Sequence, residues 1–345
     1  MRTSARALVC STAVVLSAAS AGAQAPAEFY HDKQVKLVVS SSVGGGFDTY
    51  ARLIARHIQK HMAGGPPFVV QNMAGAGGVR AANFLYSVVP KDGTTIALFQ
   101  NSVPFEPLYG NKQALFDANM LQWLGSPSQE FAVFAIWHTV PVDKIEDAKT
   151  HELVVGAPGS NSSPAFYGRL FQAVFDIKIK IIAGYPGAAE VLLAMERREN
   201  DGNSSAYWSS LKAIRPDWIA EKKLKFLIQY GPHPHPELAG VPFALDLLKD
   251  PVRHEMMAVA SAPLVMGRSI AAPPGVPIDR VMALRTALAE TFRDADYLAE
   301  CGTLRLECDG PVTAQIVTDE VARAYKASSD VVRELRRIYQ AGESK

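Results

Sequence analysis

Between residues 35 and 99 the chain alternates, without interruption, between apolar strands and amphipathic helices. "VKLVVS" (35–40) reads as a strand. The stretch 48–62 reads as a helix, with Tyr50, Leu53, Ile54 and Ile58 on one face and Arg52, Arg56 and Lys60 away from it. "PFVVQN" (67–72) is a second strand, 77–89 a second helix, "KDG" (91–93) a turn and "TTIALF" (94–99) a third strand. Strands separated by helices pair in parallel through right-handed crossovers, so this third of the chain predicts an α/β fold.

The pattern returns further on. "ELVVGAPGS" (152–160) is a strand running into a loop, and 164–175 is a helix. "IKIKIIAGYPG" (177–187) is a strand and loop, 188–199 a helix and "LKFLIQYG" (224–231) a strand. A Pro- and Gly-rich tract follows (231–242), and beyond "GRSIAAPPGVP" (267–277) helical spacing covers 278–293 and 313–341. Two αβ halves and a helical finish fit 345 residues, a length for one or two domains.

The amino terminus has the layout of a cleaved secretory signal: Arg2 and Arg6, the apolar run "ALVCSTAVVLSAAS", then "AGA" at 21–23. The apolar run is too short and too rich in Ala and Ser for a membrane span. Export of the chain after residue 23 is therefore expected. Removing 1–23 leaves 33 basic against 34 acidic residues, a net charge of about −1. Such a balance excludes binding of nucleic acid or an anionic membrane by bulk charge. Cys301 and Cys308 remain, and an even, closely spaced pair in an exported chain is a disulfide candidate, stapling a helix end to a strand. Two buried free thiols are the alternative.

Four loops carry the functional signal. A strand ending in a Gly-rich turn that opens a helix presents unpaired N–H groups, and the helix dipole makes them a site for an anion. "SSVGGGFD" supplies Ser41, Ser42, Gly44, Gly45, Gly46, Phe47 and Asp48. "NMAGAGG" supplies Ala74, Gly75, Ala76, Gly77 and Gly78. In the second half "GAPGSNSS" supplies Pro158, Ser160, Asn161, Ser162 and Ser163, and "GYPG" supplies Tyr185, Pro186 and Gly187. Ligands of open α/β sheets lie beyond the carboxyl ends of the strands, where four such loops would converge. Singly, each loop also reads as an ordinary tight turn. Neither G-x-G-x-x-G nor G-K-[ST] occurs in them, so the nucleotide fingerprints are absent.

Other residues carry two readings each. Asp48 caps the start of its helix or contacts a ligand cation or hydroxyl. His57 and His61 stand four apart, as metal ligands can, but "HIQKH" has no Glu in the zinc-protease position, which favours surface histidines. Ser160, Ser162 and Ser163 lack a G-x-S-x-G setting, so hydrogen bonding to a ligand fits them better than nucleophilic attack. Tyr185, Tyr207 and Trp208 suit either a cleft wall or the core; for Trp208 the cleft is favoured. No acid, base and nucleophile set, no metal site and no cofactor motif stands out, so an exported hydrolase is the weaker reading.

"VVSSSVGGGFDTYARLIARHI", "VVQNMAGAGGVRAANFLY" and "PKDGTTIALF" together resemble the substrate-binding proteins of tripartite tricarboxylate transporters (TctC-like), the Bug receptors. Gly44, Gly45, Asp48, Ala51 and Arg52 fit the first family element, Asn72 and Gly75–Gly78 the second, Asp92 and Gly93 the third. "VGAPGSNSSP", "GYPGAAEVLLAMERRENDG" with its acidic turn at Asp201, and "SIAAPPGVP" follow in family order. The resemblance implies a periplasmic two-domain clamshell of mainly parallel sheets, with 29–127 plus 262–345 as one domain and 128–261 as the other. It implies a small carboxylate in the cleft, held by the glycine loops of domain one and read by the loops of domain two, Asp201 included. It also implies a monomeric mature chain and, as partners, membrane subunits of TctA/TctB type. A sensor protein in their place is the alternative. Ser40 and Ser41 replace the family's Pro-aromatic pair, Met73 and Ala74 its Arg-Pro, and "SNSSPA" lacks its His, so a roomier, hydroxyl-rich cleft near domain one is expected.

Overall fold

The structure is a computed structural model and describes residues 24–160, 162–308 and 310–342. The expected signal segment 1–23 and the candidate Asn161 lie outside the described residues. Eleven strands are described: β1 Val35–Val39, β2 Phe68–Asn72, β3 Thr95–Leu98, β4 Gln122–Ser126, β5 Ala132–Trp137, β6 Leu153–Ala157, β7 Ile179–Ala183, β8 Gly202–Tyr207, β9 Leu224–Tyr230, β10 Ile270–Ala272 and β11 Val312–Thr313. They form two sheets, ordered β11-β4-β10-β3-β1-β2 and β7-β6-β8-β5-β9.

β1 lies between β3 and β2, and Val35, Leu37, Val38 and Val39 are all buried, as a strand covered on both faces requires. The crossover helices Gly46–Ile58 and Val79–Ser87 are those expected, the first ending four residues early. The parallel pairing expected from the sequence holds for β1 with β2 and β3 and for β6 with β7 and β8. The remaining pairings are antiparallel, so both sheets are mixed. The reason is connectivity. β5 and β10 enter their sheets from the other lobe, at the edge where the parallel strands end.

Register makes this explicit. Val39 is level with Asn72 and Leu98, and Leu98 with Ile270. In the second sheet Ala157 is level with Ala183, and both Tyr207 and Tyr230 with Ala132. Segment 127–131 joins β4 to β5, too short to do anything but hold these two edges side by side. The return segment is tied to it: Glu130 N–H donates to the Leu264 carbonyl at 2.9 Å, and Arg268 forms a buried ion pair with Glu130. Gly267 has φ +54°, and a Cβ there would collide with the Ser128 carbonyl.

The core is continuous across the lobes. One apolar cluster runs from Val38, Ala97 and Trp123 through Met257, Leu264 and Leu335 to Phe134, Phe171 and Tyr230. The bridging residues lie on helices Pro251–Met266 and Ser329–Gln340. A second cluster, with Leu37, Val39, Leu53, Ile54 and Leu288, fills the other face of the first sheet. The helical stretch 313–341 divides into Ala314–Tyr325 and Ser329–Gln340, because the Ser328 hydroxyl accepts from Val331 N–H and starts a new helix.

Candidate functional site

The first glycine loop leaves β1 at Ser40. Gly44 has φ +87°, and its N–H donates to Asp48 Oδ2 at 2.9 Å. The same carboxylate accepts from Arg52 Nε at 3.0 Å and Asn72 Nδ2 at 3.0 Å. Arg52 also reaches Asn72 Oδ1, and Asn72 donates to the Ser41 carbonyl. Asp48, 3% exposed, is therefore a clamp beneath the loop; it does not cap the helix, whose N-cap Gly45 receives no side-chain bond. Burial pushes its pKa up, but the bonds from Arg52, Gly44 N–H and Asn72 outweigh that and hold it below the usual carboxylate range.

Above the clamp, Gly44, Gly45 and Gly46 are exposed, and a Cβ added at any of them would meet no atom within 4 Å. Gly45 has an extended φ of −85°, so only Gly44 needs glycine for its conformation. The second loop differs. Gly75, Ala76, Gly77 and Gly78 have φ of 131°, 47°, 64° and 100°, four consecutive left-handed residues. Ala76 is the strained member. A Cβ on Gly78 would lie 2.7 Å from Val103 Cγ2 and 3.2 Å from the Ser40 side chain. The loops after β1, β2 and β3 thus meet at one point. Ser40 does not enlarge the hydroxyl surface as expected: it is buried, and its Oγ accepts from Gln100 N–H at 2.6 Å.

In the second lobe a cavity of about 250 Å³ has mainly apolar walls, Leu192, Ala206, Leu211 and Ile214 among them, and is also lined by Pro158, Ser162, Ser163, Asn203, Ser205 and Tyr207. Ser162 Oγ donates to the Gly159 carbonyl at 2.7 Å, and the Ser160 carbonyl accepts from Arg169. Tyr185 lies on the neighbouring loop with its hydroxyl 3.4 Å from Asn200 Nδ2; Pro186 is exposed, and Gly187 precedes helix Ala188–Glu196. Asn101 Nδ2 donates to the Tyr207 hydroxyl at 3.3 Å, joining the two strand edges.

Two expected site residues lie elsewhere. Asp201 sits before β8, at the amino end of the strands, where its carboxylate accepts from Val154 N–H at 2.7 Å. It braces the sheet at the far edge from the loops. Trp208 is 4% exposed; its indole N–H donates to Glu237 at 2.6 Å and its ring packs edge-on against Phe226. In its place the cavity receives Tyr207, with Asn203 and Ser205. These three alternate along β8, a period-two signal present in "GNSSAY".

His57 and His61 are not free surface histidines. His57 Nε2 lies 2.7 Å from Glu300 and His61 Nε2 3.1 Å from Asp294. Lys60 and the Tyr297 N–H hold Asp294 far below the usual carboxylate range. Among the described residues no group of three or more His, Cys, Asp or Glu is placed to hold a metal ion. Cys301 and Cys308 are bonded; Cys301 lies in the last turn of helix Ala295–Thr303, near a helix end as expected, while Cys308 lies in the loop before β11 rather than in a strand. No described helix is long and apolar enough to cross a membrane.

No family model matches the chain. It is 36% identical over 93 residues to the UPF0065 protein in gbd 5'region of Cupriavidus necator, which is 27% of this chain and 28% of that protein. It is 39% identical over 88 residues to Protein BugT of Bordetella pertussis, 25% of this chain and 26% of that one. The matches thus span little more than a quarter of these curated relatives. Among solved structures, a TctC solute binding protein from Polaromonas superposes with a TM-score of 0.70 at 17% identity, covering 90% of this chain and 99% of that one. MatC from Rhodopseudomonas palustris, with bound malate, gives 0.60 at 19% identity, covering 87% and 99%. A second R. palustris protein, with adipate, gives 0.59 at 19%, covering 88% and 98%. The fold is that of the TctC-type two-domain solute-binding proteins, and the likeness to the Bug receptors read from the sequence is supported by relatives in both comparisons.

Proposed function

We propose that this chain, folded as a TctC-type clamshell, is a periplasmic receptor that captures a small carboxylate between its lobes. It then delivers the ligand to a tripartite tricarboxylate-type transporter. The observation that carries this reading is the opposition of two surfaces across one cleft. On one side lie the exposed glycine loops Gly44–Gly46 and Gly75–Gly77, with open space beside Gly44, Gly45, Gly46 and Gly77 and the Arg80 side chain beside Gly75. On the other lies a mainly apolar cavity, walled by Leu192, Ala206, Leu211 and Ile214, with Ser163, Asn203 and Tyr207 as its polar points. N–H groups at a helix start suit a carboxylate, and charge-assisted bonds to it strengthen as water is excluded. The lobes 29–127 plus 262–345 and 128–261 swing together about the crossing segments. Malate in MatC and adipate in the second neighbour are carboxylates of the size such a cleft takes.

The test is a thermal-shift panel of carboxylic acids with their matched amides, using protein without residues 1–23. A ligand that binds only the folded state raises Tm by mass action. A rise with an acid and none with its amide is expected. Gly45→Val should lose that rise while keeping its own Tm, since its φ is unstrained and its surroundings open. No rise with any carboxylate, on protein that native mass spectrometry shows to be unoccupied, overturns the reading.

A further inference from the structure

A second, larger cavity of about 650 Å³ lies between the lobes, away from the glycine loops. Its walls come from the disulfide loop of the first lobe (Glu307, Cys308), from the crossing segment (Phe131) and from the second lobe (Lys212, His235, Glu237). Lys212 spans it. Its Nζ lies 2.7 Å from Glu237 on its own lobe and 3.1 Å from Glu307 on the other.

Both ends of this bridge are anchored. Lys212 belongs to helix Trp208–Ile214, which begins where β8 ends at the cleft. Glu237, its partner there, also accepts the Trp208 indole N–H. Glu307 is held by two restraints. It adjoins Cys308, bonded to Cys301, and its carbonyl accepts from the Tyr50 hydroxyl at 2.7 Å. Tyr50 lies on helix Gly46–Ile58, the helix that the first glycine loop opens. A continuous set of contacts therefore runs from the glycine-loop helix through Tyr50 and Glu307 to Lys212 at the facing edge.

We propose that Lys212 and Glu307 are positioning residues: their ion pair, held in place by the Cys301–Cys308 bridge, restricts the relative motion of the lobes before ligand arrives. Restricting that motion lowers the ordering cost of closure, which is how preorganisation raises affinity. The pair is partly exposed, with side chains 34% and 27% accessible, so its effect is a small factor.

The experiment measures the interlobe distance distribution by pulsed electron resonance, with nitroxides on Lys112→Cys and Lys180→Cys, both exposed positions on opposite lobes. Ligand is absent, so the outcome does not depend on the proposed receptor function. Lys212→Met and Glu307→Gln should each broaden the distribution, and Lys212→Arg, which keeps the charge, should leave it close to the parent's. Joint replacement of Cys301 and Cys308 by Ser should broaden it as Glu307→Gln does, with no further change when the two are combined. Distributions for Lys212→Met and Glu307→Gln that superimpose on the parent's overturn the proposal. Additive broadening by the disulfide and Glu307 variants overturns the part given to the bridge. The affinity effect rests on the receptor reading: for an acid identified by the panel, Kd should weaken about two- to fivefold in Glu307→Gln, the worth of a partly exposed pair.

Discussion

Asp48 shows how one residue's role turns on what its oxygens touch. An acid at a helix start, beside a loop proposed to bind an anion, would repel a carboxylate if it were free. Here three donors occupy it, and its charge is spent inside the protein. Its depressed pKa fixes the sign of a pH effect. A carboxyl whose folded pKa lies below the unfolded value contributes stability above about pH 4, and that contribution is lost as pH falls through the folded pKa. Asp48→Asn should therefore cost about 1–3 kcal/mol at pH 7, from the loss of charge-assisted bonds. The gap to the parent should narrow at pH 3, as read by urea unfolding at both pH values. Gly78 makes the complementary case, since its hydrogen is required by both φ and space. Gly78→Ala should cost about 1–3 kcal/mol, the scale of a strained left-handed residue, while Gly45→Ala should be near neutral in the same unfolding assay.

β8 and the helix after it illustrate the element scale. A strand sends alternate side chains to opposite faces, so Asn203, Ser205 and Tyr207 share the cleft face and the next residue, Trp208, turns into the core. Aromatic character alone favoured Trp208 for the site; the period of the strand selects Tyr207. Tyr207→Phe should weaken ligand binding by removing a hydroxyl at the cavity and its link to Asn101, while changing stability by no more than about 1 kcal/mol. Calorimetric titration of the acid found by the panel, beside urea unfolding, separates the two effects. The same logic explains Asp201. Its position in an acidic turn is legible, but whether that turn lies at the amino or carboxyl end of the strands depends on the direction of β8, which a six-residue run does not declare.

At the scale of the molecule, the two sheets are distinct but the apolar core is not. Helix Pro251–Met266 packs against both halves, and Tyr167 of the second lobe donates to the Ala260 carbonyl at 2.7 Å. A shared core couples the unfolding of the lobes. Calorimetry of the ligand-free protein should show one transition with calorimetric and van't Hoff enthalpies equal, the signature of two-state behaviour. Two resolved transitions would show that helix Pro251–Met266 does not carry that coupling. The crossing segments, where a hinge for the proposed closure would lie, are tied to each other by the Arg268–Glu130 pair.

The sequence by itself determined the strand and helix alternation of both halves, the four loops at the carboxyl ends, the close spacing of the two cysteines and the likeness to the Bug receptors. Each of these is local: a hydrophobic period, a glycine that φ or space demands, a short spacing. It left unread β4, β5, β8 and β11: β4 and β5 follow one another with no helix between them, β8 is largely polar, and β11 is two residues long. Only the tertiary structure decided that Ser40 and Asp48 face inward, that Tyr207 replaces Trp208, that Asp201 stands at the far edge, and that Lys212 meets Glu307 from the opposite lobe. Those outcomes rest on contacts between residues as many as 106 apart in the chain, and no local period encodes which distant group will be waiting when two edges meet.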